Sequence, residues 1–216
     1  MSKTDSSDFF IVDNSDEHWK ALEYVKQWCE LSEKVDIATG YFEVGALLAL
    51  DGEWQKVDKI RLLIGSETGR QTVDAIRQAK EVLDGSFGSE READPFLTGL
   101  PSVINGIVSG KIEIRVYTRK KFHAKTYITH ARLGVVGSAA LVGSSNFTKP
   151  GLTRNVELNV RFNGVEVREL QNWFDSYWED AEEVNAELLT VLEKHGRDYT
   201  PLEVYGKALQ TLTANI

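Results

Sequence analysis

The residues that could do chemistry cluster between positions 122 and 157: His123, Lys125, Ser144, Asn146 and Glu157. They interrupt runs that otherwise read as core strand, Phe122-His123-Ala124-Lys125-Thr126-Tyr127-Ile128 and Ala140-Leu141-Val142-Gly143. A histidine and a lysine two apart on a strand share a face, and a charged group there is costly unless it meets an anion or a partner. Ser144 and Asn146 follow the second run beside Gly143, whose missing side chain lets another backbone approach closely. Imidazole, ammonium, hydroxyl and amide, with exposed backbone N–H groups, make a site for a phosphate-like anion. The histidine can serve there as nucleophile or as general acid/base. Glu157, on the next strand, can hold the second imidazole nitrogen and fix its tautomer. No carboxylate cluster or second histidine stands at metal-ligand spacing, so the expectation is phosphoryl chemistry without a metal or other cofactor.

The elements that must position these side chains follow from periodicity and turn chemistry. Residues 1–8 read as a disordered start and 9–12 as a short edge strand. A helix is expected from Asn14 or Ser15 to about residue 32, with Leu22, Tyr24, Val25 and Trp28 on its apolar side. Strands are expected over 35–42 and 60–65, with a helix over 44–50 between them and an amphipathic helix over 71–83 after them. Residues 84–94 read as a loop and 95–109 as a helix with Pro101 near its start or at a break. Strands over 112–117, the histidine run, 134–142 and 156–162 come next, then helix from 164 to about 195, in one piece or two, and a last helix from Pro201. This order describes an α/β protein with a mixed β-sheet sandwiched between helices. The main domain is expected over 9–200, and no internal repeat is present.

The chain has 216 residues, a net charge of −8 and one cysteine, Cys29. No apolar run is long enough for a membrane span and no signal peptide is legible, so no membrane partner and a cytoplasmic location are expected. Cys29 reads as a small buried hydrophobe. The acidic balance argues against nucleic acid, but between Lys111 and Arg132 seven cations face one acid, Glu113. Positive charge is therefore expected to gather around the histidine motif.

The pattern His123-Ala124-Lys125 followed by Gly143-Ser144-Ser145-Asn146 resembles the phospholipase D superfamily. Glu157 falls where single-motif nucleases of that superfamily place a histidine-orienting acid. The likeness extends to the 37–42 strand and points to the phospholipase D-like domains of metal-independent restriction nucleases and of bacterial helicase N-termini. The stretch from Pro201 to Ile216 looks like the junction into such a helicase. The pattern departs from the family at His130, five residues after the lysine, where an aspartate is usual, and residues 131–138 lengthen the path to Gly143.

The resemblance implies a metal-independent phosphodiesterase or nuclease acting on nucleic acid, DNA before RNA. His123 would form a phosphohistidine, Lys125, Ser144 and Asn146 would hold the phosphate oxygens, and a homodimer would supply the second histidine. His130 is expected to be structural or at the surface, with a second catalytic role as the alternative. His18 and His195 are expected at the surface, and Ser145 and Thr148 in the turn. Tyr127 would stack on a base or fill the dimer interface. A catalytically weak DNA-docking or dimerisation domain of a helicase is the first alternative function, supported by the acidic charge and His130. A lipid phosphodiesterase is the second, and it lacks the apolar surface helix that lipid access calls for.

Overall fold

Strands buried on both faces read as near-continuous apolar runs, and three such runs form the centre of the sheet. The computed structural model describes residues 10–15, 20–65, 95–134 and 137–186. The expectations for residues 1–8, the 71–83 helix, the 84–94 loop, His18, His195 and the segment from Pro201 lie outside these residues.

Strand β1 (Ile11–Val12) is followed by helix α1 (Ala21–Leu31), β2 (Ser32–Thr39), α2 (Val44–Ala49) and β3 (Lys59–Gly65). Then come α3 (Pro95–Val108), β4 (Ile112–Tyr117), β5 (Thr126–Ala131) and β6 (Ala139–Gly143). The last elements are α4 (Lys149–Thr153), β7 (Asn159–Asn163), α5 (Val165–Glu179) and β8 (Glu182–Glu183). The eight strands form one sheet in the order β1-β7-β6-β5-β2-β3-β4-β8. β2, β3 and β4 run parallel, and the remaining pairings are antiparallel.

Alternation along the strands gives each face its own core. Val35, Ile37, Ile60, Leu62, Ile112 and Ile114 pack with α1, α2, α3 and α4, while Ala38, Leu63, Ile128 and Ala140 pack under α5. The expected sandwich of a mixed sheet between helices is the observed fold.

Three local differences from the sequence reading are present. Helix α1 starts at Ala21, not at Asn14 or Ser15. Asn14 adopts a left-handed φ of 64°, and its side chain accepts from Ala21 N at 2.8 Å while donating to Gly151 O and Asn155 O at 3.0 Å. It caps the helix from a distance and ties the N-terminal segment to α4. Pro101 lies inside α3. Helix α5 ends at Glu179, and β8 then pairs with β4 before helix resumes at residue 185, so the expected helical stretch falls in two pieces with a short strand between them. Beyond β8, Asn185 accepts from Ile114 N at 2.7 Å and donates to Ile112 O at 3.0 Å, extending the edge with a side-chain amide.

Beneath α5 the sheet carries a buried ionic group. Asp36 is fully buried and accepts from Arg61 Nε and Nη2, both at 2.7 Å, and lies 2.9 Å from His130 Nε2 and 3.2 Å from Lys34 Nζ. Burial alone would raise this carboxyl's pKa. The hydrogen bonds from Arg61 and His130 and the charges of Arg61 and Lys34 outweigh it and hold it well below the usual range. Arg61 also binds Asp175 on α5 at 2.7 Å and lies over the Phe174 and Trp178 rings, so one cation joins the helix to β2 and β3.

Candidate active site

The parallel strands β2, β3 and β4 all end at one edge of the sheet, and the chain segment before β5 crosses that edge. His123 and Lys125 lie in this segment, just ahead of Thr126, rather than inside the strand. Two glycines make room for it. A Cβ on Gly65 would stand 2.7 Å from Phe122 O, and one on Gly40 would stand 3.2 Å from both His123 Cδ2 and Lys125 Nζ. The end of β2 therefore forms a bare backbone floor against the imidazole.

His123 is exposed and Lys125 is buried. Lys125 Nζ lies 3.0 Å from His123 Nδ1 and donates to His123 O at 2.9 Å. An ammonium has no acceptor, so it points a proton at Nδ1 and the ring proton belongs on Nε2. Burial lowers the Lys125 pKa, and the nearby negative charge of Glu157 partly opposes that shift.

Asn146 is oriented by the segment that follows Gly40. Tyr41 N–H donates to its Oδ1 at 3.0 Å, which fixes the amide oxygen on that side and leaves Nδ2 without a protein partner among the described residues. Thr39 Oγ1 donates to Tyr41 O at 2.7 Å and accepts from Phe147 N at 3.0 Å, locking β2 to the loop that carries Asn146.

That loop is held from below by two buried residues. Tyr127 donates to Ser145 O at 3.0 Å. Asn159 on β7 accepts from Ser145 N at 3.3 Å and donates to Ser145 Oγ and Val12 O at 2.9 Å. Tyr127 is thus a core support, 1% exposed, and is not available to stack on a base or line an interface. Gly143 is required because a Cβ there would stand 2.0 Å from Leu158 O. Thr148 caps α4 by accepting from Gly151 N at 3.0 Å, so Ser145 and Thr148 shape the turn as expected.

Glu157 is bonded to Ser144 Oγ and accepts from Asn155 Nδ2 at 3.3 Å. Ser144 Oγ also accepts from Leu158 N at 2.9 Å. The structure thus brings Glu157 to Ser144 and within electrostatic reach of Lys125, while the imidazole partner is Lys125. His130 lies at the other end of β5, five residues from Lys125, or about 17 Å at strand rise, and bonds Asp36. It cannot act on the same phosphate as His123.

The basic cluster is also redistributed. Lys111 donates to Gln55 O, Arg115 to Trp178 O, Arg119 pairs with Asp180, and Arg132 with Asp58. Four of the seven cations serve packing or surface pairs, and Lys120, Lys121 and Lys125 are those nearest the histidine in sequence. Among the described residues no group of three or more histidine, cysteine, aspartate and glutamate side chains could hold a metal ion, and no helix is long and apolar enough to cross a membrane.

Residues 29–178 match the family model described as cardiolipin synthase, PLD-like domain. The chain belongs to the phospholipase D-like family. The matched span covers β2 through α5 and contains the whole His123 to Glu157 site. Among solved structures, this phospholipase D-like domain is similar to Nuc, a phospholipase D family member from Salmonella typhimurium, at 16% identity over 74% of this chain and 88% of that one, with a TM-score of 0.47. It is similar to NucT from Helicobacter pylori at 12% identity over 76% and 90% of the two chains, with a TM-score of 0.46. A variant of the yeast tyrosyl-DNA phosphodiesterase matches at 14% identity over 65% of this chain and 27% of that one, with a TM-score of 0.40. No curated protein matches the chain at a significant level.

Sequence reasoning missed Gly40, the Tyr41 backbone N–H and Asn159. The first two were visible only as the end of an apolar strand. Asn159 carried no signal either, since it falls with Glu157, Arg161 and Asn163 on the polar positions of an alternating run.

Proposed function

We propose that this protein is a metal-independent phosphodiesterase acting on nucleic acid, with His123 as its nucleophile and the site completed by a second copy of the chain. The observation that carries the reading is the His123–Lys125 contact at the sheet edge, set on the Gly40 floor beside an Asn146 amide whose N–H groups are left to a ligand. An entering phosphate diester draws Lys125 Nζ onto a nonbridging oxygen and releases His123 Nδ1. The ring proton moves to Nδ1, and the Nε2 lone pair attacks phosphorus as the P–O bond to the leaving group breaks. Lys125 and Asn146 donate to the phosphate oxygens as charge shifts onto them, joined by Ser144 once its single O–H turns from Glu157 to the phosphate. The leaving oxygen takes its proton from the second copy's histidine. That histidine then removes a proton from water, whose oxygen displaces His123 from phosphorus. His130 is too distant to take this part, which is the reason for invoking a twofold dimer.

The deciding experiment incubates the purified protein with labelled DNA and RNA in excess EDTA beside a His123→Ala control, and measures mass in solution. EDTA-resistant cleavage absent from the control, by a dimer, is the expected result. Binding without cleavage by either protein would favour the alternative, a DNA-docking domain. Cleavage by a monomer would overturn the shared site.

A further inference from the structure

The loop of residues 118–121 joins β4 to the histidine segment, and aromatic rings fix both of its ends. Tyr117 packs edge-on against Tyr177 with centroids 5.2 Å apart, and Phe122 lies 5.8 Å from Tyr177. Phe122 also stacks on Trp173 at 6.1 Å with ring planes 19° apart. Trp173 and Tyr177 stand one turn apart on α5 with centroids 5.0 Å apart. Both are only partly buried, whereas Phe174 and Trp178 on the same helix are buried against the sheet. Helix α5 therefore presents two accessible rings against Phe122, the residue next to His123.

The loop they brace carries Arg119, Lys120 and Lys121, all exposed. The acids at its foot are engaged: Asp180 pairs with Arg119 at 2.8 Å, and Glu182 accepts from Thr118 at 2.8 Å. The tip carries Lys120, and Lys121 is exposed beside it. Partly exposed aromatic rings beside exposed cationic side chains suit a polyanion whose bases are free to stack. Duplex bases are already stacked on one another and would offer only phosphates, whereas base–aromatic stacking is the usual way proteins hold single strands.

We propose that the Trp173–Tyr177 rings and the Lys120–Lys121 loop form a track for single-stranded nucleic acid leading to His123. This inference rests on the phosphodiesterase reading of the His123 site and gives that site its substrate class. The test measures binding to a fluorescent oligonucleotide, single-stranded and as the matched duplex, in the His123→Ala background so that no strand is cut. The single strand is expected to bind at least about tenfold tighter than the duplex. Trp173→Ala is expected to weaken single-strand binding about tenfold or more, and Lys120→Glu to weaken it and reduce its salt dependence. Circular dichroism establishes that the Trp173 variant is folded, and if it is not, Lys120→Glu carries the test. Equal affinity for duplex and single strand, unchanged single-strand binding by a folded Trp173→Ala, or preference for anionic phospholipid vesicles would each overturn the track. Cleavage of bis(p-nitrophenyl) phosphate by the wild-type chain is scored separately: its absence would sink the His123 chemistry, while the binding comparison would still decide the track.

Discussion

Replacing Asp36 by asparagine tests how the sheet behind the site is held. The wild-type carboxylate is fully buried and receives both Arg61 nitrogens at 2.7 Å and His130 at 2.9 Å. Asparagine keeps the shape, removes the charge and puts an N–H donor where Arg61 or His130 needs an acceptor. Arg61, with a side chain 14% exposed, would then rely on Asp175, which is 46% exposed. Removing one partner of a buried ion pair costs about 3–5 kcal/mol, a large share of the roughly 5–15 kcal/mol that holds a typical domain together. Urea denaturation should show a lower midpoint with little change in slope.

The same network sets a pH signature. The Asp36 pKa is lower in the folded than in the unfolded chain, so its stabilisation is fully present above the unfolded value and is lost as pH falls below 3.8 towards the folded one. Wild type and Asp36→Asn should therefore converge in stability on acidification. Adding Arg61→Met to Asp36→Asn should recover much of the loss, because no orphan charge remains. A cost below about 1 kcal/mol, the worth of an exposed pair, would refute the reasoning. So would a stability gap that persists through the acid window, or a double variant no better than the single one.

Two further outcomes concern the site itself. Gly40→Ala puts a methyl group 3.2 Å from His123 Cδ2 and Lys125 Nζ and 3.3 Å from the backbone Cα of His123; the histidine segment must shift by a few tenths of an ångström, so the melting temperature should fall only slightly while kcat/KM falls about 10- to 100-fold, and an unchanged rate would remove the backbone floor from the account. Asn146→Asp keeps the acceptor for Tyr41 N–H but replaces the N–H donors with negative charge, so kcat should fall about 10²- to 10³-fold with stability near wild type, and retained activity would show that the amide does not meet the phosphate.

The parts of the fold with strong hydrophobic patterning were legible from sequence. The run at 60–65 became β3, the alternating 112–117 became β4, and the sandwich followed from the order of elements. Glu182–Glu183 carries no apolar signal, and its strand exists because Val184 N and the Asn185 amide reach the β4 backbone, a contact between segments some 70 residues apart. The candidate site's side chains were picked out as polar groups in apolar runs, yet His123 and Lys125 lie ahead of β5 and His123 is exposed, so that cost applies to Lys125 and not to the histidine. Their supports were not legible, since Gly40 and Tyr41 contribute bare backbone. Counting charges along the chain also misled. Arg115 and Arg132 look like part of a basic patch, yet their guanidinium groups are committed to Trp178 O and to Asp58.

The acidic pair at β8 bears on how copies of this chain can meet. A sheet margin with free N–H and C=O groups invites another chain to add a strand, and charge on a very short outer strand discourages it. At the β4 margin that role falls to two exposed glutamates, so a like copy approaching there would face matched negative charges. Self-association by sheet extension is disfavoured on that flank. A pairing of copies is left the opposite margin at β1 and the faces and rims of the molecule, among them the rim where His123 lies.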